Sequence, residues 1–148
     1  MYERILLATD GSECARTATR HAINLAKTSD ATLHALYVIE TRTEYDSGIV
    51  DPETVERHRR GDGEEILADV EADAQSVGGD VVCSIRRGIP DREIADYVDE
   101  HGIDLVVLGA RGTSTFKTVL LGSTSEAVVR DATVPVVLLP NGAATESS

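Results

Sequence analysis

The sequence predicts an α/β fold with a parallel sheet, because short apolar runs alternate with segments that carry helical signals. The five apolar runs are Arg4–Ala8, Thr32–Ile39, Val81–Arg86, Asp104–Leu108 and Val134–Leu139. The first, fourth and fifth are almost continuously apolar, which is typical of strands that are covered on both faces. The expected order is therefore β-α-β-α-β-α-β-α-β, with right-handed crossovers.

The first two helices have recognisable starts. Ser12 can cap a helix from Glu13 to about Lys27, in which four alanines and one leucine form an apolar stripe. Asp51-Pro52-Glu53 places a cap, a first-turn proline and an acidic residue at the start of a second helix, which reaches about Val77. We expect the tripeptide Gly61-Asp62-Gly63 to kink or break this second helix.

The last two helices are shorter. Pro90 opens the third helix and Gly102 closes it. The fourth helix runs from Ser123 to about Asp131, with Ala127 and Val128 facing the core. These elements form one domain over residues 1–140, and the polar segment 141–148 is expected to be a disordered tail.

The bulk composition limits the classes of partner. Of the 148 residues, 41% are hydrophobic and 27% are charged, with a formal net charge of -12. This charge argues against nucleic acid as a partner, because nucleic-acid binding relies on clusters of Lys and Arg. Acidic excess with only two lysines, Lys27 and Lys117, fits a salt-adapted protein, although a GC-rich genome would also replace Lys by Arg. The halophilic interpretation is therefore kept as a hypothesis.

Membrane and secretory signals are not recognisable in the sequence. No run approaches the roughly 18 apolar residues of a membrane helix, and Met1–Ala8 does not resemble a signal peptide. Cys14 and Cys83 are far apart and form no C-x-x-C motif, so reduced cysteines are the default. We expect a cytoplasmic protein without membrane association.

The glycine-rich connection between the fourth strand and the fourth helix is the strongest functional signal. Gly109, Gly112 and Gly122 have the spacing G-x2-G-x9-G, and Ser123 and Thr124 follow at the start of the helix. Backbone N–H groups without an obstructing Cβ, together with a helix N-terminus, suit a polyphosphate. The connection is neither a Walker A loop nor a G-x-G-x-x-G fingerprint, since both patterns are absent from the chain.

A purely structural interpretation of the same residues remains open at this point. Gly109 could simply end a strand, and Ser123-x-x-Glu126 could form a capping box at the start of the helix. In that arrangement Glu126 would compete for a backbone N–H and add negative charge near a phosphate. The spacing alone does not decide between a phosphate loop and a flexible surface loop.

The chain resembles the nucleotide-binding type of universal stress protein, whose hallmark is G-x2-G-x9-G-[ST] before a short helix. The match extends over nearly the whole chain, through I-L-L-A-T-D-G-S, Gly88-x-Pro90, D-L-V-V-L-G and V-P-V-V-L-L-P in that order. The resemblance implies a three-layer α/β/α sandwich whose five-stranded parallel sheet has the strand order 3-2-1-4-5. In that order, the loops after the first and fourth strands meet at the point where the winding direction reverses.

The resemblance also implies roles for particular residues. Asp10 would hold the ribose hydroxyls or a magnesium ion, the backbone of Ala8 and Thr9 would border the base, and Val38 would contact adenine. The two glycine-containing segments would bind the phosphates, with Arg111 and Lys117 as this chain's own cationic candidates. The candidate binding residues are Ala8, Thr9, Asp10, Val38, Leu108, Gly109, Arg111, Gly112, Gly122, Ser123 and Thr124.

Other polar residues give weaker signals. The four histidines have no metal-ligand spacing, and His34, inside a strand, is interpreted as a structural residue with a hydrogen-bond partner. The basic run Arg57-His58-Arg59-Arg60 is interpreted as a solvated helix face. No nucleophile with a neighbouring base is apparent; Ser12 has the right type but no nearby His in the sequence.

Three functions follow from this pattern. The leading one is an ATP-binding regulatory protein of the stress response, with ATP, and Mg where it accompanies the nucleotide, bound in a homodimer. The alternatives are a slow ATPase or phosphotransferase, and an interaction module that keeps the fold without a nucleotide. The predicted dimer contact is the last strand, Val134–Leu139, because it is an uncharged apolar edge that invites a second strand.

Overall fold

The structure is a computed structural model that describes residues 2–40, 52–110 and 122–140. Strands and helices alternate along the chain from the first element to the last. The strands are β1 (Arg4–Ala8), β2 (Thr32–Glu40), β3 (Val81–Gly88), β4 (Leu105–Gly109) and β5 (Val136–Leu139), and the helices are α1 (Glu13–Ser29), α2 (Pro52–Ser76), α3 (Pro90–His101) and α4 (Ser123–Asp131).

The five strands form one parallel sheet in the order β3-β2-β1-β4-β5. Helices α1 and α2 pack on one face and α3 and α4 on the other. This arrangement confirms the predicted α/β/α sandwich and its strand order. Strand β1 lies at the centre of the sheet, and its residues Ile5, Leu6 and Leu7 are fully buried.

Alternate residues of the central strands supply the two halves of the core. Ile5 and Leu7 point toward the α1 and α2 layer, where they join a cluster that includes Ala18 of α1. Leu6 belongs to the opposite cluster, with Tyr97 of α3. This period of two follows from the strand geometry, and it explains why β1 is apolar at successive positions.

Most of the predicted helix ends are confirmed. The Ser12 hydroxyl accepts a hydrogen bond of 3.2 Å from the backbone N–H of Ala15. Pro90 begins α3, and Gly102 ends it in the left-handed conformation, with φ of 62°. In α4, Val128 is buried as expected, whereas Ala127 is half-buried.

Helix α2 contradicts the predicted break at Gly61-Asp62-Gly63, since it continues as α-helix from Pro52 to Ser76. A Cβ at Gly63 would lie only 2.5 Å from the ring of Tyr37 on β2. Gly63 therefore allows the helix to lie close against the sheet. At Gly61 a Cβ would meet nothing within 4 Å, so this glycine has no such packing reason.

The last strand is shorter than predicted, because β5 begins at Val136 rather than Val134. Pro135 contributes its carbonyl oxygen to the sheet, which accepts a hydrogen bond of 3.0 Å from the N–H of Val106. Proline has no N–H of its own, so regular pairing starts after it. Among the described residues, no helix is long and apolar enough to cross a membrane.

Candidate functional site

A cavity of about 430 Å³ lies beyond the carboxyl ends of β1, β2 and β4, next to the first turn of α4. This is the position at which the strand order reverses, where open parallel sheets bind their ligands. Its volume is within the usual range of small-molecule sites. The cavity is lined by Ala8, Thr9, Asp10, Ser12, Ala15, Leu36, Tyr37, Val38, Glu40, Arg59, Pro90, Ile94, Leu108, Gly109, Gly122, Ser123, Thr124 and Ser125.

The loop after β1 is fixed by its own side chains. The Asp10 carboxylate accepts a hydrogen bond of 2.9 Å from the N–H of Ser12, and the Thr9 hydroxyl accepts one of 3.3 Å from the N–H of Gly11. Gly11 has φ of 81°, a conformation that glycine adopts at little cost. As a result, the exposed Asp10 carboxylate has a defined position at the cavity.

The N-terminus of α4 is tied to the end of β4 by two hydrogen bonds. The N–H of Gly122 donates to the carbonyl oxygen of Ala110 at 2.8 Å. The hydroxyl of Ser125, which is 4% exposed, donates to the carbonyl oxygen of Gly109 at 2.7 Å. These bonds hold the first turn of the helix at the cavity, where its N–H groups and positive dipole end favour an anion.

The capping box that the alternative interpretation placed at the start of α4 is not formed. The N-cap residue is Gly122, with φ of -67° and ψ of 160°, and no side chain caps this end. Ser123 is therefore the first helical residue rather than the cap. Glycine occupies the cap position without a side chain, which leaves the first turn accessible from the cavity.

Gly109 has a packing role that the sequence did not reveal. A Cβ at this position would lie 2.6 Å from the Cβ of Cys14 and 3.0 Å from the backbone nitrogen of Ala15. The glycine therefore lets the start of α1 approach β4 closely. This close approach brings the first turns of α1 and α4 to the same cavity, since Ala15 and Ser125 both line it.

The opposite end of the cavity has an apolar wall, beside two charged side chains, Glu40 at the end of β2 and Arg59 of α2. Leu36 and Val38 come from the carboxyl end of β2, and Pro90 and Ile94 come from the first turns of α3. A flat heterocycle can be buried against such a surface, whereas a phosphate cannot. The cavity thus has a glycine-rich, hydroxyl-lined end at β4 and an end at β2 whose wall is largely apolar.

A model of the universal stress protein family matches residues 1–140 of the chain. The chain belongs to the universal stress protein family. It is 31% identical over 140 residues to the universal stress protein MJ0531 of Methanocaldococcus jannaschii, and the match covers 94% of this chain and 82% of the relative. The solved structure of the universal stress protein UspA from Lactobacillus plantarum is 32% identical, with a TM-score of 0.83, covering 93% of this chain and 97% of that one.

Two more distant members of the family have solved structures with a nucleotide. One is a universal stress protein in complex with cAMP, 23% identical with a TM-score of 0.74, covering 95% of this chain and 99% of that one. The other is a universal stress protein family protein from Arabidopsis thaliana with AMP bound, 18% identical with a TM-score of 0.71, covering 96% and 94%. At these identities the likeness shows the shared fold.

The cavity of this universal stress protein brings together all the candidate binding residues that the structure describes. These are Ala8, Thr9, Asp10, Val38, Leu108, Gly109, Gly122, Ser123 and Thr124. The remaining candidates, Arg111 and Gly112, and also Lys117, lie outside the described residues. Residues 2–40, 52–110 and 122–140 include no group of three or more His, Cys, Asp or Glu side chains that could hold a metal ion.

Arg59 is a cavity residue that the sequence interpretation missed. The basic run was expected to be a solvated face, and Arg57, His58 and Arg60 are indeed exposed, but Arg59 is half-buried and lines the cavity. It is the single cation among the described lining residues. The expected break in α2 concealed it, since only an uninterrupted helix relates Arg59 to Gly63, one turn later on the same face.

His34 has the structural role that was predicted for it. Its Nδ1 lies 2.7 Å from the hydroxyl oxygen of Tyr97, and its ring also lies next to that of His101. Burial lowers the pKa of His34, and the nearby His101 and Arg4 lower it further. His34 is not among the cavity residues, so this network belongs to the core under α3.

Proposed function

We propose that this universal stress protein is an ATP-binding regulatory protein, in which ATP occupies the cavity at the ends of β1, β2 and β4. The observation that carries the proposal is the cavity's polarity, with a helix N-terminus at one end and an apolar surface at the other. A nucleotide has the same division between its phosphates and its base. The cavity also collects the described members of the glycine motif, Gly109 and Gly122, at a single end.

The phosphates are assigned to the end formed by β4 and α4. Ser123 and Thr124 offer hydroxyl and backbone N–H groups there, and the Ser125 hydrogen bond to Gly109 anchors this turn of the helix. Preorganised donors of this kind stabilise phosphate charge in a protein with a net charge of -12. Arg111 and Lys117 remain proposed partners of the same phosphates.

The base and ribose are assigned by the remaining geometry. Adenine is proposed to lie at the apolar end, near Val38 and the backbone of Ala8 and Thr9. Asp10 follows β1, the strand between β2 and β4, so its carboxylate lies between the two ends of the cavity. We propose that Asp10 binds the ribose hydroxyls, because a carboxylate can accept the hydrogen bonds that these hydroxyls donate.

A magnesium ion is compatible with the cavity's donors. Magnesium is usually held by one or two carboxylates together with substrate phosphates, and Asp10, which lines the cavity between its two ends, would supply the carboxylate. When bound with ATP, the ion would neutralise part of the phosphate charge. The side chains contribute position and charge, and none of the described lining residues supplies a His or Cys as a catalytic base or nucleophile.

Related proteins support an adenine nucleotide as the ligand, since structures of this fold contain AMP in one case and cAMP in another. We favour ATP over a dinucleotide because of the family resemblance and because the sequence has a single glycine-rich phosphate motif. The test is to denature the purified protein and separate the released small molecules by anion-exchange chromatography. Release of ATP supports the proposal, and release of ADP alone indicates turnover. If the protein is first saturated with ATP and then separated from unbound nucleotide, an empty supernatant contradicts the proposal.

A cytoplasmic homodimer is the second part of the proposal. Strand β5 is an edge of the sheet, and its four residues, Val136–Leu139, are apolar and half-buried in the isolated chain. A two-fold axis beside β5 would let two copies pair and cover these side chains.

Light scattering coupled to gel filtration measures the dimer directly. We expect twice the chain mass of 15.8 kDa for the wild type. Val137→Lys introduces a charge at the proposed contact and should shift the protein toward monomer, with an unchanged circular dichroism spectrum as the control for folding. A wild-type mass equal to that of one chain would exclude the dimer.

A further inference from the structure

Arg59 lines the cavity and comes from α2, a helix whose main neighbours in the sheet are not β4, the strand of the glycine motif. Helix α2 packs mainly on β2 and β3, and Arg59 reaches the cavity from that side. The phosphate end is formed by β4, which is separated from β2 by β1 in the sheet. Because neighbouring strands lie about 4.8 Å apart, β2 and β4 are separated by about 10 Å.

The surroundings of Arg59 agree with this placement. A second cavity of about 710 Å³ shares Asp10, Tyr37 and Arg59 with the first, and its lining includes no residue of α4. Burial raises the pKa of the Tyr37 hydroxyl and Asp62 raises it further, whereas the positive charge of Arg59 opposes them. Arg59 is therefore close to Tyr37 of β2.

Two helices overhang the carboxyl end of β2 from opposite faces of the sheet. Helix α3 contributes Pro90 and Ile94, and helix α2 contributes Arg59. The position of α2 is fixed by the contact of Gly63 with Tyr37, one turn beyond Arg59. A flat ring that enters this end would have an apolar surface on one side and a guanidinium on the other.

We propose that Arg59 binds the base of the nucleotide, by stacking its planar guanidinium on the ring opposite Pro90 and Ile94. The inference rests on the proposed function, because it requires a nucleotide in the cavity. Guanidinium groups stack on aromatic faces and interact with their π electrons, and this attraction grows when water is excluded. The role differs from the phosphate contact that a cation in a nucleotide site first suggests.

The test compares nucleotides that differ only in the number of phosphates. Dissociation constants for AMP, ADP and ATP are measured by calorimetry on the nucleotide-free wild type, Arg59→Gln and Arg59→Lys. A base contact predicts about the same loss for all three ligands in Arg59→Gln, roughly tenfold. Arg59→Lys should also lose most of this affinity, because an ammonium keeps the charge but not the planar group.

Arg57→Gln is the matched control, since it removes the same charge from an exposed position of the same helix. A loss that grows from AMP to ATP, or full rescue by Lys, would mean that Arg59 acts on the phosphates and would overturn the inference. So would equal affinities in Arg59→Gln and Arg57→Gln. A wild type that binds none of the three nucleotides refutes the proposed function itself, whereas the other outcomes leave that function intact.

Discussion

Gly63 of α2 lies against the ring of Tyr37 on β2, with room for a hydrogen but not for a methyl group. This contact sets the distance between the helix and the sheet. It also fixes the part of α2 that borders the cavity, because Arg59 is one helical turn away and Tyr37 lines the cavity itself. A packing detail of the core thus determines one wall of the candidate site.

Replacing this glycine tests its role directly. Gly63→Ala should lower the free energy of unfolding by about 1–3 kcal/mol, since the new methyl group overpacks the contact with Tyr37. Gly61→Ala is the control in the same helix, because its Cβ meets nothing within 4 Å. It should raise stability by up to about 1 kcal/mol through helix propensity. Urea denaturation measures both, and equal effects of the two variants would contradict the packing role.

Asp10→Asn distinguishes the ribose role of this residue from a magnesium role. The amide oxygen of Asn can still accept the N–H of Ser12, so the loop should keep its shape. If Asp10 binds the ribose, the variant should weaken ATP binding by about 1.5–3 kcal/mol to the same extent with magnesium and with EDTA. A loss seen only with magnesium in a calorimetric titration would instead assign Asp10 to the ion.

We expect the folded protein to lose stability in mild acid because of His34. Burial, together with the nearby His101 and Arg4, lowers its pKa in the folded protein below the ordinary value for histidine, so the unfolded chain binds the proton more readily. Stability should therefore be complete above about pH 6.5 and should fall as the pH drops below it. His34→Asn should reduce this slope, measured as melting temperature against pH, whereas His21→Asn at an exposed position should not.

Salt should stabilise the protein if its acidic excess is an adaptation. The chain has 26 acidic and 14 basic Lys and Arg residues, and added ions screen the resulting repulsion. We expect the melting temperature to rise with KCl, by about 2–4 °C for each kcal/mol gained. A flat or falling curve between dilute buffer and molar salt would argue against the halophilic interpretation.

The parallel strands could be predicted because buried strands have an apolar signature that depends only on local sequence, whereas the strand order came from the family resemblance. Two glycines proved hardest to interpret, Gly63 and Gly109. Each is required by a close tertiary contact, Gly63 with Tyr37 and Gly109 with Cys14. No local pattern distinguishes such a glycine from a helix breaker or a phosphate-loop residue. The same is true of Arg59, whose direction depends on the phase of a helix that was expected to break.

The start of α4 shows the limit of motif-based capping rules. The S-x-x-E spacing at Ser123 and Glu126 matched a capping box, yet Gly122 occupies the cap position. The hydroxyl that matters here belongs to Ser125, which is two residues later and reaches back to the carbonyl oxygen of Gly109. That bond spans two elements, so its partner could not be identified before the strand and the helix were placed together.

If the phosphates of ATP bind at the N-terminus of α4, a side chain introduced at Gly122 should obstruct them. Its φ of -67° and ψ of 160° are open to valine, so Gly122→Val should fold while a branched side chain obstructs the helix N-terminus. Calorimetric titration of ATP into nucleotide-free protein should show binding by the wild type. The variant should bind about tenfold to a hundredfold more weakly, as expected when one hydrogen bond to a charged group is lost. Equal ATP affinity in a folded Gly122→Val protein would mean that the phosphates do not bind at this helix N-terminus.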